Sequence, residues 1–283
     1  MIVFHHNDAD GRCSAAIVRR WLVMQSRKPK GDTSIRFVEM DYKMACPVDQ
    51  IKKDETVVIV DFSFPPLVMG QIQAATDIGV IWCDHHATAK DYNYKLAGER
   101  DFTDKGRAGC ECTWDYLFPH DPIPRAVVLL GDYDAWRMYC APECLEFYEG
   151  LKMEDTSPES TLWKDLFDGR LVGDVVEKGR MAIQYRDIYC REMRKAFGYE
   201  TEIDGIKAYA CNISRFGSPG FGEMLKKYPI CISYAHDGER FTVNLYSETV
   251  DVGAIAKNHK GGGHKGAAGF ICGPGLPFKR SAT

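Results

Sequence analysis

No stretch of this sequence approaches the ~18 consecutive apolar residues that a membrane-spanning helix needs, although 45% of its 283 residues are hydrophobic. The opening MIVFHHNDAD has no basic start and only a short apolar run, so it does not read as a secretory signal. Synthesis and residence in the cytoplasm are therefore expected. The eleven cysteines contain no CxxC pair. Their closest spacings, Cys110/Cys112 and Cys140/Cys144, argue against a structural zinc site. Spread through a long chain without a signal, they are expected to be reduced, most of them as small buried hydrophobes. Basic residues are not in excess either: 36 Lys and Arg face 40 Asp and Glu, for a formal charge of -4. No global positive field attracts a polyanion, although bound metals would neutralise acids that this count treats as free. Internal repeats and low-complexity tracts are also missing.

What the chain does have is alternation. MIVFHH reads as a strand, and GRCSAAIVRRWLVMQS has helical spacing, with Ala16, Val18, Trp21, Leu22 and Met24 available for a core face. SIRFVEM and TVVIVDFS read as strands rich in β-branched residues. PLVMGQIQAATDIG reads as a helix ending near Gly79, VIWCDHH as a strand, CECTWDYLF as a helix and PRAVVLLGDYDAW as a further buried segment. This order predicts an α/β fold whose N-terminal sheet is mostly parallel and flanked by helices. From Gly173 to Gly198, Met181, Tyr185, Ile188, Tyr189 and Met193 recur at helical spacing and predict one long helix. Strands IKAYACN, ICISYAH and RFTVNLYSE follow, with HDGER as a turn. The expected organisation is an N-terminal domain over 1–172, a linker helix over 173–199 and a smaller α/β domain over 200–283. Residues 141–171 carry no interpretable motif, and a helical insertion is expected there.

Four apolar segments, all read as strands, end in the same chemistry. FHHNDADG carries His5, His6, Asp8 and Asp10; VVIVDFS carries Asp61; VIWCDHH carries Asp84, His85 and His86; VVLLGDYDAW carries Asp132 and Asp134. A single Asp after a strand is ordinarily a turn or cap residue, and a single His on an apolar face is ordinarily a satisfied core residue. Recurrence at four ends is harder to explain that way. In an open parallel sheet the carboxyl ends of the strands share one edge, so these groups would converge. Several carboxylates packed together are unfavourable unless cations neutralise them. Carboxylate and imidazole donors suit manganese, magnesium, zinc or iron, and there are more of them than one ion requires. A pair of divalent metals sharing a carboxylate would clamp the oxygens of a phosphoryl displacement.

The ordered set HNDADG at 6–11, Asp61 in VDFS, DHH at 84–86 and Asp132 in GDYDAW resembles the four motifs of the DHH phosphoesterase superfamily, and GGGHKGAAGF at 261–270 resembles its DHH-associated C-terminal domain. The resemblance implies a two-lobed, manganese-dependent phosphoesterase of the RecJ-like and oligoribonuclease-like kind, with two divalent ions, Mn2+ or Mg2+. It implies a phosphate-ester substrate that is a nucleotide or a short single-stranded oligonucleotide, no membrane partner, and a homodimer as one form. Carried onto this chain, one ion takes His6, Asp8 and Asp61. The other takes Asp10, Asp61, His85 and Asp132. His86 faces the substrate, and Asp84 orients the histidines or coordinates directly. His6 is preferred to His5 because it fits the H-x-D-x-D-G form, which leaves His5 on the opposite face of its strand. Asp132 is preferred to Asp134, which is left as a cap.

On the glycine stretch, Gly261, Gly262 and Gly263 lack side chains, so their N–H groups could approach an anion, with His264 as an added donor; a plain tight turn is the alternative. One departure stands out. Where nucleotide-cleaving relatives carry a serine- and arginine-containing strand, this chain has VNLYSE, with Tyr246 in place of the arginine and Ser247 retained. Arg215, in the glycine-rich SRFGSPGFG, is the candidate replacement for that phosphate clamp. Tyr234, Phe241 and Tyr246 would favour nucleotides if they faced the substrate, with a role in the core as the plainer reading. Two rival functions follow: a pyrophosphatase or exopolyphosphatase on the same metals, and a non-catalytic nucleotide- or nucleic-acid-binding module.

Overall fold

A computed structural model describes residues 1–25, 35–92 and 94–280. Ser26 and Ser34, at the ends of two expected elements, lie outside the described residues. The chain divides into two compact units, Met1–Ala182 and Ile183–Thr283. No helix among the described residues is long and apolar enough to cross a membrane.

In the first unit, strands β1 (Ile2–His6), β2 (Arg36–Met40), β3 (Val57–Val60) and β4 (Val80–Cys83) form a parallel sheet in the order β2-β1-β3-β4. The central strand β3, VVIV, is buried along its whole length, as expected of a β-branched run covered on both faces. Alternation splits the side chains between two cores. Ile2, Phe4, Val57, Ile59 and Trp82 pack with Met69 and Ile72 of α2 (Pro66–Ala75), whereas Val3, Val58, Val60 and Cys83 pack with Ala15 and Val18 of α1 (Ala9–Gln25) and Cys112 of α3 (Gly109–Leu117). Met24, in the last turn of α1 and expected in the core, is exposed instead.

The segment PRAVVLLGDYDAW forms a helix, α4 (Arg125–Asp134), rather than a strand. Its continuous apolar run hides a helical period: Ala126, Val127, Leu129 and Leu130 all enter one helical core. The uninterpreted stretch supplies the rest of that core through α5 (Glu143–Leu151) and α6 (Thr161–Phe167), with Phe147, Leu151, Trp163 and Leu166 buried against α1 and α4. Long helix α7 (Val172–Phe197) follows, and the division between the units falls inside it. All eleven cysteines are free thiols, eight of them buried.

The second unit holds a six-stranded sheet of β5 (Tyr199–Ile203), β6 (Ile206–Cys211), β7 (Ile230–His236), β8 (Phe241–Tyr246), β9 (Gly262–Gly263) and β10 (Ala267–Cys272), in the order β5-β6-β7-β8-β10-β9. Only β6 and β7 pair in parallel. The short helix α8 (Met224–Lys227) precedes β7, and α9 (Val252–Asn258) packs Val252, Ile255 and Ala256 onto the apolar face of the sheet. The expected turn is present: Gly238 takes a φ of 105°, and the Asp237 carboxylate accepts the N–H groups of Glu239 and Arg240.

Candidate metal centre

The sheet order makes β1, β3 and β4 consecutive neighbours, and their registers align His5 with Val60 and Val60 with Cys83. The next residue of each strand path, His6, Asp61 and Asp84, therefore emerges at the same level of one rim. This is where the carboxyl ends of parallel strands present ligands. Asp8 and Asp10 lie at the start of α1, immediately beyond β1.

Three groups of donor atoms result, each with its atoms within 4.8 Å of one another: His6, Asp8 and Asp61; Asp10, His85 and Asp134; and Asp61, His85 and His86. His6 Nδ1 lies 2.6 Å from Asp8 Oδ2 and 3.9 Å from Asp61 Oδ2. His85 Nε2 lies 3.2 Å from Asp61 Oδ1, 3.3 Å from Asp134 Oδ2 and 3.7 Å from Asp10 Oδ2. Asp61 thus turns one oxygen to each of the first two groups. It is buried, and neither of its oxygens has a hydrogen-bond partner. His6 Nδ1 is likewise buried without a hydrogen bond despite its short approach to Asp8. Orphaned oxygens and nitrogens among carboxylates fit a cation better than they fit a hydrogen-bonded core.

Local chain features make room for this arrangement. Asp61 has a φ of 51°, in the left-handed region. Gly109 faces it, and a Cβ at Gly109 would lie 2.6 Å from the Asp61 side chain. The Asp10 carboxylate accepts N–H groups from Gly109 and Cys110, each at 2.8 Å, so the amino end of α3 stabilises its charge. Asp84 Oδ1 accepts from the backbone N–H groups of His85 and His86 and lies 2.8 Å from His86 Nδ1. Asp84 therefore orients His86 through Nδ1.

The electrostatics match. Burial, then the charges of Asp10, Asp8, Asp134 and Asp84, raise the Asp61 pKa well above the ordinary carboxylate value. Burial, then Asp10 and Asp8, do the same for Asp134. Asp8 goes the other way: burial opposes its ionisation, but the adjacent His6 ring and the N–H bond from Gly11 bring it down to about 2. For His86, burial acts to lower the pKa, but the hydrogen bond and charge of Asp84 outweigh it and raise the net value.

Asp132 does not join the centre. Its carboxylate accepts the N–H groups of Tyr139 at 3.1 Å and Cys140 at 2.7 Å, and Arg137 lies 3.5 Å away. Asp134 stands beside His85 instead. The strand reading placed both acids on one face; in a helix, residues two apart point in nearly opposite directions. His5 is buried on the far side of β1, with Nδ1 bonded to the His6 carbonyl at 2.8 Å. So the rim collects His6, Asp8, Asp10, Asp61, Asp84, His85 and His86, and adds Asp134.

An unforeseen neighbour is Tyr42, in a turn just after β2. Its ring stacks on Phe62 with centroids 4.6 Å apart and lies 5.7 Å from His6 and 5.8 Å from His86. No motif in the sequence marks it.

The remaining expected residues belong to the second unit. The Gly261 N–H donates to the Ala256 carbonyl at 2.8 Å, and a Cβ there would lie 2.1 Å from the Gly269 carbonyl oxygen. Gly263 has a φ of 140°, and a Cβ there would lie 2.5 Å from Ala268 Cα. Both glycines are thus accounted for by tight packing of β9 on β10, whereas Gly262 and His264 are exposed. Arg215 is exposed in its loop, with a φ of 68°. Ser247 Oγ donates to the Pro229 carbonyl and accepts from the N–H groups of Thr249 and Val250, which is a capping role. Tyr234 and Phe241 pack against the core of this unit, and Tyr246 lies against Phe221.

Comparison with known proteins agrees with this architecture. The DHH family, N-terminal domain, matches residues 1–124. An uncharacterized protein, R106, of Acanthamoeba polyphaga mimivirus is 25% identical over 233 residues, covering 79% of this chain and 54% of its own. The chain thus spans about half the length of that relative. Among solved structures, the pGpG-specific phosphodiesterase PggH of Vibrio cholerae superposes with a TM-score of 0.53 at 13% identity, over 96% of this chain and 93% of its own. The exonuclease RecJ bound to manganese gives 0.51 at 13% identity, over 95% and 84%. These likenesses concern the fold, and the rim of acids and histidines, apart from Asp134, lies in the matched segment. The segment of this chain that resembles the DHH family, N-terminal domain, is residues 1–124.

Proposed function

We propose that the chain is a metal-dependent phosphohydrolase that cleaves a phosphoester bond in a nucleotide or short single-stranded oligonucleotide, with two divalent cations, manganese or magnesium, as cofactors. The observation that carries this reading is Asp61. It is a buried carboxylate with no hydrogen bond, placed between His6 with Asp8 and His85 with Asp10 and Asp134. The donor set is all carboxylate and imidazole, as hard divalent cations prefer. The family match supports the phosphoesterase class. A phosphodiesterase and an exonuclease with the same fold support a nucleotidyl substrate.

His6, Asp8 and Asp61 would hold one cation, and Asp10, Asp61, His85 and Asp134 the other. When bound, the cations supply positive charge to phosphoryl oxygens and acidify a water. The protein supplies the positioning. Asp84 fixes the His86 ring through Nδ1, and its charge favours the protonated ring. His86 Nε2 is then placed to donate a proton to a leaving oxygen. In the second unit, the exposed Arg215 and His264 side chains are assigned to substrate phosphate, together with the exposed Gly262; the N–H of Gly261 is already committed.

The test is hydrolysis of a panel of dinucleotides, short RNA and DNA, pyrophosphate and polyphosphate with manganese present. Wild type is expected to turn over the nucleotidyl substrates, and Asp61→Asn to lose about 100-fold or more of kcat/KM. Equal activity in the two proteins would end this reading.

A further inference from the structure

The proposed reaction leaves open whether the substrate offers a base to be recognised. Tyr234, Phe241 and Tyr246, the residues that the sequence would enlist, are packed against apolar clusters of the second unit. An aromatic surface does exist at the metal rim itself. Tyr42 is a first central residue of the turn closed by the Met44 N–H to the Asp41 carbonyl at 2.9 Å. The Asp41 carboxylate caps the Lys43 N–H at 2.9 Å and reaches Asn7, in the loop that follows β1, at 3.4 Å. The turn is thus tied to the segment that carries His6 and Asp8.

The ring is held against one neighbour and is still half exposed. Phe62 stacks on it with an interplanar angle of 26°, and Phe64 backs Phe62 at 5.0 Å. Even so, Tyr42 is 52% exposed. A large aromatic fixed by its neighbours and left open to solvent loses little conformational entropy on binding a flat partner. Its centroid lies 5.7 Å from that of His6 and 5.8 Å from that of His86, so a group stacked on it would sit next to a phosphate held at the rim.

We propose that Tyr42 is a stacking platform for the base of a nucleotide substrate, next to the phosphate that is cleaved. The inference rests on the phosphohydrolase reading and narrows it to nucleotidyl substrates over inorganic ones. Inorganic phosphates and sugar phosphates have no flat face to place there.

The experiment compares wild type, Tyr42→Phe and Tyr42→Leu on a 5′-phosphorylated dinucleotide and on the same compound lacking its bases. Base–aromatic stacking predicts that wild type prefers the base-bearing compound in kcat/KM, mainly through KM. Tyr42→Phe should keep that preference, and Tyr42→Leu should reduce the ratio about tenfold. A Tyr42→Leu variant that loses the same factor on both compounds would show a packing role only and overturn the proposal. So would a wild-type enzyme without preference. Calorimetric binding of a nucleoside monophosphate against ribose 5-phosphate, with calcium present, gives a readout independent of turnover. If no compound is hydrolysed, the phosphohydrolase reading fails. The binding ratio then still decides: its fall in Tyr42→Leu upholds the platform, and its persistence overturns it.

Discussion

The acid and histidine rim of the first unit and the glycine stretch of the second both looked like ligand sites in sequence, yet their polar atoms are in opposite states. At the rim, both oxygens of Asp61 and Nδ1 of His6 are buried with no hydrogen bond. In the glycine stretch, the N–H groups of Gly261 and His264 are bonded to Ala256 and Ala267. The same contrast separates two acids on one helix: Asp132 is satisfied by backbone N–H groups, and Asp134 faces other carboxylates. A buried polar group left unsatisfied costs about 1–3 kcal/mol, so a fold keeps several together only where something else will satisfy them. Unspent bonding capacity, rather than residue type, distinguishes the rim.

The largest effect should come from testing the two acids against each other. Asp134→Asn is expected to lower manganese affinity and activity about 100-fold or more, with the fold intact. Asp132→Asn should leave manganese affinity unchanged by calorimetry and lower stability by about 1–3 kcal/mol in denaturant unfolding, as the loop over 136–141 loses its anchor. The reverse pattern would break the comparison.

The glycines sharpen it at a smaller scale. Gly261→Ala places a Cβ against the Gly269 carbonyl, and overpacking of this kind costs about 1–3 kcal/mol. Gly262→Ala meets nothing within 4 Å and should stay within about 0.5 kcal/mol in the same unfolding experiment. Equal costs would mean that strand packing is not what selects the glycine.

The smallest effect is a pH dependence. Asp61 and Asp134 have raised pKa values in the folded, metal-free protein. Above the ordinary carboxylate range the native state then holds more protons than the unfolded chain, so metal-free stability falls as pH rises. The raised pKa of His86 acts in the same sense, its contribution being lost as pH passes through the folded value. Thermal unfolding should show a lower Tm at pH 8 than at pH 5.5 without metal. With manganese the slope should flatten, and binding should release protons, seen as a buffer-dependent enthalpy. A rising Tm without metal would contradict the electrostatics described.

Much of the fold was legible because periodicity reports burial directly. The β-branched runs of β3 and β4 and the even helical spacing of α7 marked elements that the structure contains. The run VVLLGD misled because a short apolar stretch has the same appearance in a buried strand and in a buried helix, and the family motif that points to Asp132 does not tell which of the two acids a helix turns to the rim.

By itself the sequence determined which chemical groups follow which strands: His6, Asp8 and Asp10 after β1, Asp61 after β3, and Asp84, His85 and His86 after β4. These placements are local, set by alternation and by strand ends. Tertiary structure alone decided that Asp134 and not Asp132 completes the rim, that Gly261 is spent on packing, and that Tyr42 stands open beside His6. Each of those depends on which face of an element meets a neighbour distant in sequence, and a linear pattern does not encode that meeting.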